Sequence, residues 1–138
     1  MDLIKLREQL IEHEGLRLHP YKCPAGKTTI GVGRNLDDRG ITREEAMTML
    51  QNDIDECAAD CVLIVGQSVW DKLSDARQRV LVDMRFNLGP KGLRSFARTL
   101  AAISQGRYED AAAHMLESKW ARQTGNRAKR LSRMMKDG

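Results

Sequence analysis

No apolar run in this sequence approaches the ~18 residues needed to span a bilayer. The first residues are amphipathic and charged, so they also lack the uncharged apolar stretch of a secretory signal. Hydrophobic residues make up 41% of the 138 residues and charged residues 30%, as in ordinary globular proteins. We therefore expect one domain that stays in the compartment where it is made.

Cysteine is scarce, and its arrangement argues against a structural metal site. The three cysteines, Cys23, Cys57 and Cys61, are odd in number and lack a metal-binding spacing, which predicts reduced thiols in a cytoplasmic compartment. The three histidines show no metal-ligand spacing to one another either. The sequence thus predicts neither a metal nor a cofactor.

Other recognisable motifs are missing too. There is no phosphate-cradling glycine loop, no Ser/His/Asp order, no internal repeat and no low-complexity linker. What stands out instead is positive charge near one end, because residues 118–138 contain seven Lys or Arg against one acid. Such a segment favours an anionic partner such as nucleic acid, a lipid headgroup layer or a cell-wall polymer. No groove-reading motif accompanies the charge, so we do not expect nucleic acid.

The periodicity predicts a mainly helical chain. Apolar residues at helical spacing predict a first helix over Leu3 to Glu14, ended by Gly15. A capping box at Thr42-Arg43-Glu44-Glu45 predicts the start of a helix of roughly 20 residues, with Cys57 and Cys61 on its apolar stripe. A central buried helix should follow and stop at Gly89-Pro90. Three shorter helices are expected over Ser95 to Gln105, Tyr108 to Glu117 and Arg127 to Lys136.

A β-hairpin is predicted between the first two helices. Two short alternating segments flank a Pro24-Ala25-Gly26 turn. Glycines at 31 and 33 weaken the returning strand and let another group approach its backbone closely. The fold class is therefore α+β, mainly helical.

Three side chains near this hairpin could carry chemistry. Glu14 lies in the last turn of the first helix, where the negative end of the helix dipole favours the protonated acid, as a general acid requires. Cys23 precedes the turn and could be a base, a nucleophile or a bystander. Thr29 on the returning strand could hold a water molecule with its hydroxyl. Each also has a plain structural interpretation as a surface or strand residue.

The segment from Glu14 to Gly33, E-G-x-R-L-x-x-Y-x-C-x-x-G-x-x-T-I-G-V-G, resembles the phage-type lysozymes of glycoside hydrolase family 24. That family carries an E-x8-D-x5-T triad, and Glu14, Cys23 and Thr29 keep its spacing with cysteine in the place of the aspartate. The segments MRFNLG and SKWARQTGNRAKRL resemble the central-helix and C-terminal blocks of the family. Arg34 departs from the histidine that commonly follows the glycine pair, and the region after the hairpin is short.

The resemblance implies a lysozyme-like fold in two lobes within one domain. A small β-hairpin lobe would occupy about 14–45, and a helical lobe about 65–138 with the N-terminal helix, joined by the long helix. It also implies an endolysin that hydrolyses the β-1,4 bond between N-acetylmuramic acid and N-acetylglucosamine in bacterial peptidoglycan. In this family's usual setting a holin pore releases the enzyme from the host cytoplasm to the periplasm. We expect a monomer.

The resemblance further implies roles for single residues. Glu14 would protonate the glycosidic oxygen, while Cys23 and Thr29 would activate or position a water molecule on the opposite face. An arginine that matches Arg127 lies near the catalytic glutamate in the family and would favour its charged form, against the helix-end effect. The remaining residues implied in substrate binding are Asn35, Phe86, Asn87, Thr99, His114, Gln123 and Asn126.

Two alternatives remain open at this point. Cys23 could take the aspartate's role, or it could only fill space while Glu14 works alone, as in a lytic transglycosylase where the sugar's own hydroxyl attacks. Independently, the basic C-terminal helix, with Ala128, Leu131, Met134 and Met135 beneath its charges, could disturb anionic envelopes without cutting glycan.

Overall fold

A computed structural model describes all 138 residues, and it is mainly helical with one small antiparallel sheet. The predicted α+β class is therefore confirmed. The chain forms two compact units, Met1–Thr48 and Met49–Gly138. None of its helices is both long enough and apolar enough to cross a membrane.

The first unit begins with a helix, α1, over Leu3–Glu14, as predicted. Asp2 caps it, because its side chain accepts hydrogen bonds from the backbone N–H groups of Ile4 and Lys5. Three strands follow, β1 over Arg17–Lys22, β2 over Thr28–Gly31 and β3 over Arg34–Asn35, in the order β1-β2-β3. The predicted hairpin is confirmed, whereas β3, with only two residues, was not predicted.

A long helix, α2, spans Arg43–Val65 and starts at the predicted capping box. The Thr42 N–H donates to Glu45 Oε1 at 3.0 Å, and the Glu45 N–H donates to Thr42 Oγ1 at 3.1 Å. Cys57 and Cys61 are buried on this helix, which confirms their interpretation as small apolar residues. Burial raises the pKa of Cys61 to about 12, so this thiol stays protonated.

The second unit continues with six more helices: α3 over Gln67–Lys72, α4 over Asp75–Arg94, α5 over Ala97–Ser104, α6 over Tyr108–Leu116, α7 over Lys119–Thr124 and α8 over Asn126–Asp137. The short helices α3 and α7 were not predicted. Gly89 interrupts α4 with non-helical angles, φ 76° and ψ 170°, at the predicted stop, but Pro90 starts another short helical stretch. The predicted central helix is confirmed, because Val80, Leu81 and Met84 on α4 are fully buried.

The basic helix α8 packs into the core of the second unit. Ala128, Leu131, Ser132 and Met135 are buried on it, and the Ser132 hydroxyl donates to the Ala112 carbonyl at 2.9 Å. Its apolar side chains are therefore part of the hydrophobic core, and its charges point outward.

Candidate active site

The Glu14 carboxylate lies against the backbone of Gly33. A Cβ atom added to Gly33 would stand 2.8 Å from Oε2 of Glu14, and Gly33 has a φ of +66°. The backbone conformation therefore favours glycine at this position, and a Cβ there would displace the end of the Glu14 side chain. The glycine pattern predicted that some group would approach this backbone, and the group is Glu14. A Cβ on Gly31 would meet nothing within 4 Å.

Cys23 lies between β1 and the hairpin turn, with its thiol partly exposed. Its backbone N–H donates to the Lys27 carbonyl at 3.0 Å, and its carbonyl accepts from the Gly26 N–H at 2.8 Å, which closes the turn. The backbone N–H of Lys27, and to a lesser extent that of Ala25, stabilises the thiolate and lowers the pKa of Cys23 from its ordinary value of 9.0. The turn thus favours the reactive form of this thiol.

Thr29 is the only buried residue of the first unit, with 3% of its surface exposed. Its hydroxyl donates to the Lys27 carbonyl at 3.0 Å, although the thiolate of Cys23 also lies within its reach. When the single hydroxyl proton is donated to the Lys27 carbonyl, the Thr29 oxygen can accept a hydrogen bond from another donor.

Arg34, the departure from the family's histidine, ties β3 to the start of α2. Its guanidinium donates to Glu45 Oε1 at 3.0 Å, lies 2.9 Å from Glu45 Oε2 and donates to the Gly40 carbonyl at 3.2 Å. The bonds from Arg34 to Glu45, together with the N–H of Thr42, lower the pKa of Glu45 to about 2. Arg34 therefore holds the connection between sheet and helix.

The side chain of Asn35 is already engaged within the first unit. Its amide nitrogen donates to Asp38 Oδ2 at 2.9 Å, and its oxygen accepts from the Asp38 N–H at 3.0 Å. The neighbouring Asp37 accepts from the Thr28 N–H at 2.7 Å. Asn35 thus orders the loop after β3, a function that the sequence did not indicate.

In the second unit, three of the predicted substrate-binding residues share a cavity of about 880 Å³. Phe86 is 47% exposed there, beside Asn126 and Arg127. Arg127 is held by Asp83, whose Oδ1 lies 2.8 Å from Nε and 2.7 Å from Nη2. No role was predicted for Asp83 from the sequence, although a single acid within an apolar run was an available signal.

Thr99, His114 and Gln123 line a second cavity of about 650 Å³ in the same unit. Thr99 is 2% exposed, and Nδ1 of His114 lies 3.3 Å from Oε2 of Glu117. Phe96 packs edge-on against Trp120 in this cavity with ring centroids 5.8 Å apart.

Asn87 binds Trp120, which lines the second cavity. Its Oδ1 accepts from Nε1 of Trp120 at 2.8 Å, which satisfies the buried indole. The predicted residues of this unit therefore fall into two separate groups, one around Phe86 and one around Trp120.

A mainly helical α+β fold, with an acid at the end of its first helix and a thiol and a hydroxyl on the hairpin that follows, defines a lysozyme-like protein. The chain belongs to the phage lysozyme family, because the family model described as Phage lysozyme matches residues 11–136. The resemblance stated from the sequence is thereby confirmed.

Several curated proteins are similar to this chain at low identity. The pre-baseplate central spike protein Gp5 of Enterobacteria phage T4 is 28% identical over an alignment of 164 positions. The endolysin of Acyrthosiphon pisum secondary endosymbiont phage 1 is 29% identical over 119 residues. A probable T4-type lysozyme of Dictyostelium discoideum is 24% identical over 160 residues.

These similarities cover the relatives to very different extents. The similarity to the spike protein covers 98% of this chain but only 28% of the spike protein. The endolysin comparison covers 83% of this chain and 77% of the endolysin, and the Dictyostelium comparison 96% and 94%. The chain thus spans little more than a quarter of the spike protein and most of the other two.

Proposed function

We propose that this chain is a phage endolysin that hydrolyses the β-1,4 bond between N-acetylmuramic acid and N-acetylglucosamine in bacterial peptidoglycan. One observation carries the proposal. Glu14, Cys23 and Thr29 keep the triad spacing, and the contact of Glu14 with Gly33 and the lowered pKa of Cys23 support these roles. The family supplies the class of reaction.

Glu14 is the proposed general acid. It is exposed at the end of α1, and contact with Gly33 restricts where its carboxyl group can lie. It donates its proton to the glycosidic oxygen as the bond to the anomeric carbon breaks, so that the leaving sugar departs as a neutral alcohol. Limiting the positions open to the acid in this way lowers the entropic cost of reaching the transition state.

Cys23 and Thr29 are proposed to prepare the attacking water. The Cys23 thiolate accepts one proton from water while the water oxygen bonds to the anomeric carbon on the opposite face. The Thr29 oxygen accepts a hydrogen bond from the same water and orients it. Products are two shorter glycans, and the enzyme is restored when the thiol returns its proton to solvent and Glu14 takes one up from solvent.

The substrate-binding residues of the second unit remain proposals of the same kind. Phe86 offers an exposed ring on which a sugar face can pack. Asn126 and Arg127 offer amide and guanidinium donors beside it, and Thr99, His114 and Gln123 line the other cavity. Asn87 has a partner inside the second unit and Asn35 has one inside the first, so we propose that each shapes the surface of its own unit.

We further propose that the protein acts as a monomer on the cell wall, reaching the periplasm from the host cytoplasm through a holin pore. This setting is the one that the family resemblance implies. The alternative of a cationic helix that disturbs envelopes is not favoured, because the apolar side chains of α8 are buried in the core.

The test is mass spectrometry of muropeptides released from purified peptidoglycan. The wild-type protein should release products with a reducing muramic acid end, and both Glu14→Gln and Cys23→Ala should reduce their yield at least a hundredfold. Glu12→Gln is the matched control, since it makes the same change on an exposed residue of α1 and should leave the yield unchanged. Full activity of Glu14→Gln would refute the assignment.

The same experiment separates hydrolysis from the transglycosylase alternative. Anhydro-muramic products that persist in Cys23→Ala would mean that Glu14 works alone and that the cysteine only fills space. Absence of any product from a folded wild-type protein would overturn the proposed activity.

A further inference from the structure

The outer face of α8 carries a stripe of cations that the proposed reaction does not use. Lys129, Arg133 and Lys136 are spaced at i, i+4 and i+7, which places them within about 60° of one another around the helix. All three line one shallow cavity of about 570 Å³ together with Leu116. The stripe is therefore a continuous charged surface with an apolar side chain at its edge.

One cation of the stripe has an acidic partner, and the other two have none. Lys136 lies 3.4 Å from Glu109, and Asp137 is the one acid in the cavity lining. Lys129 and Arg133 are exposed and form no ion pair. Because both cations are exposed, they keep part of their hydration when they bind anionic groups, so this binding costs them little free energy of hydration.

We propose that this stripe docks the folded protein on an anionic phospholipid surface, independently of the glycan-cleaving activity. Leu116, 46% exposed beside the cations, favours a lipid surface over a soluble polyanion, because only a bilayer offers apolar groups beneath its phosphates. The contact is peripheral. Ala128, Leu131 and Met135 are buried on the opposite face of α8, so the helix cannot insert without unfolding the core.

The experiment is cosedimentation of the full chain with phosphatidylglycerol-containing vesicles and with pure phosphatidylcholine vesicles. Binding should require phosphatidylglycerol and should weaken as salt is raised. The double variant Lys129→Gln/Arg133→Gln should bind about thirtyfold more weakly, since each cation near an anionic bilayer contributes about fivefold. Lys129→Arg/Arg133→Lys keeps the charges and should keep the binding.

The matched control is Lys91→Gln/Arg94→Gln, which removes two exposed cations from the last turn of α4 and makes the same change in net charge. An equal loss of binding in this control would show a general charge effect and overturn the proposal. Binding to inorganic polyphosphate without binding to vesicles would overturn it as well. Dye-filled vesicles should not leak, and leakage would refute a peripheral contact.

Discussion

At the scale of single residues, the backbone around Cys23 favours the ionised thiol at the position where the family has a carboxylate. The Cys23 thiol has no acidic or basic side chain as its main partner, and the N–H of Lys27 is the largest influence on its pKa. The carbonyl of the same residue, Lys27, accepts from the Cys23 N–H and from the Thr29 hydroxyl. The two backbone groups of Lys27 thus contact both candidate residues.

The role of Cys23 as a base can be tested by pH dependence. Its pKa is lowered from 9.0, but an aspartate in the same place would ionise near pH ~4. A base works only when deprotonated, so activity should rise with pH through the thiol's pKa, and Cys23→Asp should move this rise to lower pH. Initial rates of cell-wall lysis between pH 4 and 9 measure the pH at which the activity of each protein rises. Identical profiles in both proteins would mean that the cysteine is a bystander.

The contact between Glu14 and Gly33 leads to a second prediction. Gly33→Ala should strain the backbone at φ +66° and push the Glu14 carboxylate away, lowering kcat at least tenfold. Gly31→Ala is the control, because Gly31 has a φ of +68° with open space around its Cβ. Both variants should lose about 1 kcal/mol of stability, measured by urea unfolding. An equal loss of kcat in both would show that strain alone is responsible.

At the scale of elements, local signals explain where helices begin and end. Asp2 caps α1, the Thr42 and Glu45 capping box starts α2, and Gly89 breaks α4. Each signal acts through backbone groups that neighbouring residues can satisfy, so each can be read from sequence. The partner of Glu45 could not, because Arg34 approaches it from β3.

The Arg34 bond predicts how stability depends on pH. The pKa of Glu45 is lowered to about 2 from 4.5 in the unfolded chain. The folded state therefore stabilises the ionised carboxylate relative to the protonated acid. Its stabilising contribution is therefore complete above pH 4.5 and disappears as the pH falls toward 2. Arg34→Met should remove most of this dependence, whereas Arg39→Met, at an exposed neighbouring arginine without an ion pair, should not. Urea unfolding between pH 2 and 6 measures both.

At the scale of the whole molecule, buried apolar side chains are distributed unevenly. Every buried hydrophobic residue lies between Cys57 and Met135, in the second unit. The first unit buries only Thr29 and leaves Leu3, Ile4 and Leu18 more than half exposed. Since burial of apolar surface is the main stabilising contribution to folding, the two units should differ in local stability.

Hydrogen exchange followed by mass spectrometry tests this difference. Amides of α1 and of the β1-β2 hairpin should exchange at least tenfold faster than amides of α4, α6 and α8, because fewer buried contacts oppose their opening. Both α1 and α6 are α-helices with the same pattern of backbone hydrogen bonds, so a comparison of the two isolates the effect of burial. Equal protection of the two would contradict the prediction.

Much of the candidate site could be predicted from sequence. The hairpin, the close approach at Gly33 and the buried Cys57 and Cys61 followed from spacing and residue type. The partners of Arg127 and Trp120 could not, because Asp83 and Asn87 lie 44 and 33 residues away in the chain. Short helices such as α3 and α7 were also missed, since six residues hold too little periodicity to distinguish a helix from a turn.

The sequence by itself determined the helical periods, their caps, the hairpin and the family spacing of Glu14, Cys23 and Thr29, because each of these lies within one short stretch of the chain. Only the tertiary structure decided which charges are paired, that α8 turns its apolar side toward the core, and that the carboxylate of Glu14 meets Gly33. These depend on distances between distant segments, which chain packing sets.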